Sequence, residues 1–361
     1  MELNGKKLAN GSLDPYVIAE IGVNYYDIAR KEGISPLEAA ERMILAAHEA
    51  GADAAKFQTY KSEKIASRHS PAYWDTTKET SASQYDLFKK HDHFGEAEYR
   101  HLADFAREHG TTFLSTPFDL EAVDFLDEII PVFKIASADI TNIPLLEKIA
   151  EKKKPILLAV GASSIADIRS ALDKIHEVNP EAEIALLQCI LNYPTLPPNA
   201  NLGMIQGIQD AFPGYPVGYS DHTEPSEDML EVIMAVLSGA CIVEKHFTLD
   251  KRLPGNDHYH AMDPADLKKF KDQVNRCRVL YGSREKRILP SEEPAVKYAR
   301  RSIVLKAAVR HGERITSDHL IMKRPGTGIP PTELQKVVGM VVNRDLEEDT
   351  ILLWEHLEKG A

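Results

Sequence analysis

The chain is poor in cysteine: Cys189, Cys241 and Cys277 stand far apart among 361 residues. Three such residues cannot build a disulfide framework or a cysteine-based zinc site, and they fit a reducing cytoplasm. Long apolar runs are missing too. No stretch reaches the ~18 uninterrupted apolar residues of a membrane span, and the nearest, 232–243, is broken by Ser238 and Gly239. Met1-Glu2-Leu3-Asn4-Gly5-Lys6-Lys7 lacks the basic-then-apolar order of a secretory signal, so a soluble cytoplasmic protein with no membrane partner is expected. Positive charge is in deficit, 43 Lys and Arg against 55 Asp and Glu, for a net charge of −12. Such a surface repels a polyanion and argues against nucleic acid as a partner.

What is present is ordinary globular material, 43% hydrophobic and 27% charged, enough for a sizeable core. Short apolar runs rich in Val, Ile and Phe recur at Tyr16–Ile21, Ala54–Thr59, Thr112–Ser115, Val132–Ser137, Pro155–Val160, Ile184–Cys189, Val217–Ser220 and Cys241–His246. Amphipathic stretches separate them. Ser35-Pro36-Leu37-Glu38 joins a Ser N-cap to Pro at the first helical position, Gly51 closes that helix, and Asp263-Pro264 opens another. Eight such strand and helix units in about 250 residues predict a (β/α)8 TIM barrel. A doubly wound open sheet is the competing layout, disfavoured because no Gly-rich dinucleotide fingerprint follows the first run.

Two stretches depart from a bare barrel. Lys61–Phe94 is long and polar and contains Trp74; it reads as a lid beside the second strand. Ser283–Lys297 is charged and carries Pro290 and Pro294, which reads as a linker. The expected division is therefore a barrel over 1–282, a linker over 283–297 and a small β-rich module over 298–361. Within that module Ser302–Leu305 and Val337–Val342 are the β-rich runs. At roughly 60 residues its stability alone is marginal, so support from the barrel or a second subunit is expected.

A barrel takes its catalytic groups from the C-terminal ends of its strands, and polar residues collect there. His222 and His246 end neighbouring strands, within reach of one metal ion or as two separately hydrogen-bonded histidines. His258 and His260 lie in a Gly-Asn-Asp loop and are expected to be solvated. Lys56 and Lys134 sit in apolar strands, where an unpaired charge is costly. They fit a phosphate or carboxylate site beside Ser and Thr hydroxyls, simple pairing with Glu20, Asp139 or Glu244, or a Schiff base.

Together the strand-end motifs resemble the sialic acid synthase family. They are Ile18-Ala19-Glu20-Ile21-Gly22-Val23-Asn24, Lys56-Phe57-Gln58, Ser115-Thr116-Pro117-Phe118, Lys134-Ile135-Ala136-Ser137, Tyr193-Pro194-Thr195, Gly218-Tyr219-Ser220-Asp221-His222-Thr223 and Glu244-Lys245-His246-Phe247-Thr248. The C-terminal part, with Lys323-Arg324-Pro325-Gly326, resembles the antifreeze-like SAF domain of the same enzymes.

The resemblance implies a transferase that condenses phosphoenolpyruvate with the open-chain aldehyde of an N-acetylated mannose-type sugar and releases phosphate. It implies that Lys56, Thr116, Lys134, Ser137 and Ser220 hold phosphoenolpyruvate, and that His222 and His246 hold Mn²⁺ or Mg²⁺. Glu20, Asp139 and His246 are the implied catalytic set. Gln58, Tyr193, Asp257 and Arg324 are the implied acceptor contacts, with Arg324 delivered by the partner subunit of a domain-swapped homodimer. N-acetylmannosamine is the leading acceptor, as in N-acetylneuraminate synthesis; a 2,4-diacetamido-2,4,6-trideoxymannose, giving legionaminic acid, is the alternative. Tyr25, Ala159 and Leu191 stand where many members carry His, Ser, and Asn or Ser, which bears on the acceptor. A Schiff-base barrel aldolase and a non-catalytic carbohydrate-binding protein are the readings from other classes.

Overall fold

A computed structural model describes residues 1–74, 76–255 and 257–359. Positions 75, 256, 360 and 361, which fall in the expected lid, the histidine loop and the end of the C-terminal module, lie outside them. The chain divides into two compact units, Met1–Gly282 and Ser283–Ala361.

The first unit is built on eight parallel strands: β1 (Tyr16–Gly22), β2 (Ala54–Thr59), β3 (Thr112–Pro117), β4 (Phe133–Ile135), β5 (Ile156–Ala159), β6 (Ile184–Cys189), β7 (Val217–Asp221) and β8 (Ile242–His246). Each coincides with one of the eight apolar runs. Their hydrogen-bonded order is β3-β2-β1-β8-β7-β6-β5-β4, and β3 and β4 lie side by side, so the sheet nearly closes into a TIM-type barrel. Helices cover the outside. Ser35 Oγ accepts from Glu38 N at 3.1 Å and Asp263 Oδ1 from Asp266 N at 2.9 Å, so the two helix starts lie where cap and proline place them.

Alternation along each strand sorts the core into two. Val17, Ala19, Phe57, Phe113 and Val243 point out to the helices. Tyr16, Ile18, Ala54, Leu114, Val132, Leu187 and Ile242 fill the barrel interior, and Leu3 and Leu8 join them from the N-terminal hairpin Glu2–Leu3/Lys6–Lys7. On β7 the interior position is Gly218, where a Cβ would meet Leu187 Cδ2 at 2.5 Å and Ile242 Cβ at 2.7 Å, so only glycine fits this layer. Two residues further along each strand the same inward period continues, and there it presents Glu20, Lys56, Thr116, Lys134, Cys189, Ser220 and Glu244. One period beyond lie Gln58, His222 and His246.

The second unit packs β9 (Ser302–Leu305) antiparallel to β10 (Leu320–Lys323), and β11 (Val341–Val342) antiparallel to β12 (Leu357–Glu358). It has its own apolar core, including Ile303, Leu305, Ile315, Val337 and Leu352. Two local expectations change. The run Val337–Val342 is split, its first residue ending the helix Leu334–Val337 before β11 begins. The segment expected as a linker carries a 3-10 turn, Pro290–Glu292, and enters the helix Glu293–Tyr298. Pro290 and Pro294 occupy first-turn positions there, where proline starts a helix rather than breaking one.

Candidate active site

The C-terminal mouth of the barrel holds a cavity of about 330 Å³. Its floor is a buried charge network. Lys56 Nζ lies 2.5 Å from Glu20 Oε2, 3.7 Å from Glu244 Oε2 and 3.1 Å from Thr116 Oγ1. Lys134 Nζ lies 3.4 Å from Glu244 Oε1, which also accepts from Ser220 Oγ at 3.0 Å. Gln58 Nε2 donates to Glu20 Oε1 at 3.0 Å. Ser137 opens the 3-10 turn Ser137–Asp139 that cuts β4 short, and its Oγ accepts from Gly161 N at 2.9 Å. Both lysines are thus paired with carboxylates and placed together with three hydroxyls.

The two glutamates are not equivalent. Burial, reinforced by the charge of Glu244 and opposed by Lys56, pushes the Glu20 carboxyl up to about 7. Glu244 is equally buried, but Lys134 and Lys56 together outweigh burial and hold it below the ordinary range. Near neutral pH a proton therefore resides on Glu20 in part of the population, and the network then carries a net positive charge toward the cavity. Asp139, also lining the cavity, is raised by burial.

Three rings, Tyr193, His222 and His246, form one wall, and buried His260 packs behind them. Tyr193 lies 4.1 Å from His222, His222 lies 5.4 Å from His246, and His246 lies 4.7 Å from His260, centroid to centroid. Burial holds the Tyr193 phenol well above its ordinary range. Burial, with His260 and His222 adjacent, holds His246 well below the histidine range, so its imidazole is neutral and suited to a metal. His222 Nδ1 donates to Ile190 O at 2.8 Å, so the neutral ring keeps its lone pair on Nε2. Burial disfavours charge on this ring, but Cys189 and the Ile190 carbonyl outweigh it and raise His222 above its ordinary value.

His258 and His260 depart from expectation: both are fully buried. His258 Nδ1 lies 2.8 Å from Thr248 Oγ1 and its Nε2 lies 3.3 Å from Asp27 Oδ2. His246, Asp257 and His260 each present one possible ligand atom, all within 4.8 Å of one another. This His/Asp cluster fits a divalent ion, because His246 is buried and its Nδ1 has no hydrogen-bond partner. The signal was the run Asp257-His258-Tyr259-His260 in the loop after β8, where a barrel places its chemistry.

The segment expected as a lid lines the cavity with Tyr73, Trp74, Leu87 and Phe88. Trp74 Nε1 donates to Glu79 O at 3.0 Å, and Lys90 pairs with Glu79 at 2.6 Å. Of the other expected site residues, Tyr193 and Asp257 also face the cavity. Arg324 is exposed, beyond the end of β10 in the second unit.

Residues 43–286 match the NeuB family model, and residues 300–358 match the SAF domain. The chain belongs to the NeuB family. It is 36% identical, over 99% of its length and 98% of the other chain, to the N,N'-diacetyllegionaminic acid synthase of Legionella pneumophila. It is 33% identical, over 98% and 96%, to the human N-acetylneuraminate-9-phosphate synthase. The crystal structure of an N-acetylneuraminic acid synthetase from Leptospira borgpetersenii aligns with a TM-score of 0.69 at 32% identity, covering 82% of this chain and 94% of that one. As a NeuB-family member the chain is an enzyme of transferase type, with the phosphoenolpyruvate-dependent reaction of nonulosonic acid synthases. No described helix is long and apolar enough to cross a membrane.

The family departures fall in two places. Ala159 and Leu191 line the cavity, so two positions that could donate hydrogen bonds are apolar. Tyr25 is fully buried outside the cavity lining, 4.7 Å from Phe94 and 5.7 Å from Phe57 by ring centroid, and packs behind the site.

Proposed function

We propose that this NeuB-family enzyme condenses phosphoenolpyruvate with the open-chain aldehyde of an unphosphorylated 2,4-diacetamido-2,4,6-trideoxyhexose, giving a legionaminic acid-type product. The observation that carries this reading is the distribution of charge in the cavity. Among the described lining residues the only Lys or Arg are Lys56 and Lys134 on the floor, and one phosphoenolpyruvate engages both. A second phosphate, on carbon 6 of the acceptor, would find no further lysine or arginine among the described lining residues. The outer wall instead offers Tyr60, Ile65, Leu87, Phe88 and Phe118, with Leu191 nearer the floor, surfaces that suit the methyls of a 6-deoxy carbon and two acetamido groups. The likeness to the Legionella enzyme supports the same choice, so N-acetylmannosamine, the leading acceptor on sequence, becomes the second reading.

In this mechanism Lys56, Lys134, Thr116, Ser137 and Ser220 bind the phosphate and carboxylate of phosphoenolpyruvate. Carbon 3 attacks the aldehyde carbon and the aldehyde oxygen takes up a proton. Water then adds to carbon 2, the bond from that carbon to the phosphate oxygen breaks, and phosphate leaves the keto acid. Glu20 in its ionised form stabilises the cation that develops at carbon 2, and Asp139 orients the phosphoenolpyruvate end of the site. Gln58, Tyr193 and Asp257 orient the acceptor. A divalent ion, Mn²⁺ before Mg²⁺, held at His222 and His246 would polarise the aldehyde as a Lewis acid. Arg324 completes the acceptor site from the partner of a domain-swapped homodimer in the cytoplasm.

Phosphate release from phosphoenolpyruvate with Mn²⁺ tests the reading, comparing the diacetamido-trideoxy sugar, N-acetylmannosamine and N-acetylmannosamine 6-phosphate. Release with the first alone is expected; preference for the 6-phosphate would overturn the acceptor assignment.

A further inference from the structure

The loop after β8 returns to the barrel in a fixed register. Met262 N donates to His246 O at 2.8 Å, Thr248 N donates to Met262 O at 3.0 Å, and Phe247 bridges Met262 in parallel. Between these points side chains pin the loop. Asn24 Nδ2 donates to the backbone carbonyl of Asp257 at 3.2 Å, Thr248 and Asp27 bracket His258, and the Tyr259 hydroxyl donates to Tyr193 O at 2.9 Å. Residues 258 and 259 therefore act as anchors, while 257 and 260 are presented to His246.

The ligand atoms of His246, Asp257 and His260 all lie within 4.8 Å of one another. Donors each bound about 2.1 Å from one ion lie within ~4.2 Å of each other, so small side-chain rotations bring all three onto a common centre. His246 is 7% exposed, and its Nδ1, lacking a hydrogen-bond partner, lies 3.8 Å from Asp257 Oδ2. His222 stands further off, its ring 6.1 Å from that of His260. His260 is not among the motif residues that the family resemblance carries over.

We propose that His260 is a protein ligand of the divalent ion, so that His246, His260 and Asp257 form a two-histidine, one-carboxylate face that selects a transition ion over Mg²⁺. The inference rests on the proposed metal beside His246 and changes its ligand set. Imidazole nitrogens suit first-row transition ions, whereas Mg²⁺ prefers oxygen donors and keeps its waters. One oxygen of Asp257 on the ion leaves the other to the acceptor sugar.

The test is Mn²⁺ binding to the full-length enzyme, followed by the EPR signal of free Mn²⁺ and by competition with Mg²⁺, in wild type, His260→Gln and His260→Asp. His260→Gln should weaken Mn²⁺ at least about tenfold, the scale on which changes around a metal act. His260→Asp should regain part of that affinity and shift the competition toward Mg²⁺; if the glutamine variant does not fold, the aspartate variant carries the comparison alone. Wild-type binding with unchanged Mn²⁺ affinity and Mg²⁺ competition in the variants would overturn the inference and leave the metal reading intact. Failure of the wild type to bind Mn²⁺ would remove the metal reading itself, and the inference with it.

Discussion

Glu20 Oε2 and Lys56 Nζ lie 2.5 Å apart on neighbouring strands, both buried beneath the cavity. The pair explains how an apolar barrel tolerates a lysine in β2, since a buried charge without a partner is strongly unfavourable. It also keeps a cation ready for an anionic substrate, because protonation of Glu20 releases Lys56 from its closest counter-charge. Lys56→Met should therefore weaken phosphoenolpyruvate by at least about 2 kcal/mol, roughly 30-fold, as measured by calorimetric titration without acceptor. Unchanged affinity would mean that Lys56 serves only to neutralise Glu20.

A second buried pair has a different task. Lys245 Nζ lies 2.5 Å from Asp221 Oδ2 and 2.6 Å from Thr223 O, and Asp221 Oδ1 accepts from Tyr219 and from Thr223 N. These contacts tie the ends of β7 and β8 together next to His222 and His246. Asp221→Ala leaves the lysine charge buried and unpaired, so a loss of about 3–5 kcal/mol is expected in urea unfolding. A loss below 1 kcal/mol would show that the pair does not brace the strand ends.

The barrel was legible in the sequence because strands buried on both faces write continuous apolar runs, and the helix starts carry their caps in adjacent residues. Glu20, Lys56, Lys134 and Glu244 were legible too, as charges inside such runs. His260 was not, because its burial depends on packing against His246 of β8 and Tyr193, residues remote in sequence that only the loop's return brings to it. Local composition reads this stretch as a polar surface turn; the hydrogen bonds of Met262 to His246 and Thr248 turn residues 257–260 inward. The split of Val337–Val342 has a similar origin, since short β-branched runs do not distinguish a helical turn from a strand.

Arg324 lies in the second unit, exposed at a bend after β10. If it reaches the acceptor of a partner subunit, Arg324→Ala should raise the sugar KM at least about tenfold, with the phosphoenolpyruvate KM within twofold of wild type, on the logic that a lost contact weakens only the ligand it touches. An unchanged sugar KM would count against the contact, and a monomer in sedimentation would count against the swapped dimer.

His91 provides a test in pH. Burial, helped by Lys90 and opposed by Asp27, lowers it to about 4 from an ordinary value of 6.5. As pH falls from 6.5 to 4, the unfolded chain takes up a proton that the folded chain refuses, so this histidine removes stability across that window, about 3 kcal/mol in all. Asp27 stays ionised through most of this window, because the His258 hydrogen bond and Arg30 help to overcome burial and hold it below its ordinary value. Glu20 acts with the opposite sign: its carboxyl, raised from 4.5 to about 7, binds a proton in the folded state first and adds stability as pH drops through that range. The two contributions partly cancel in the wild type, so the informative quantity is the difference between wild type and His91→Phe. Urea unfolding from pH 7 to 4 should show the variant gaining on the wild type by about 3 kcal/mol; parallel curves would mean that His91 takes up its proton in the folded state as readily as in the unfolded chain.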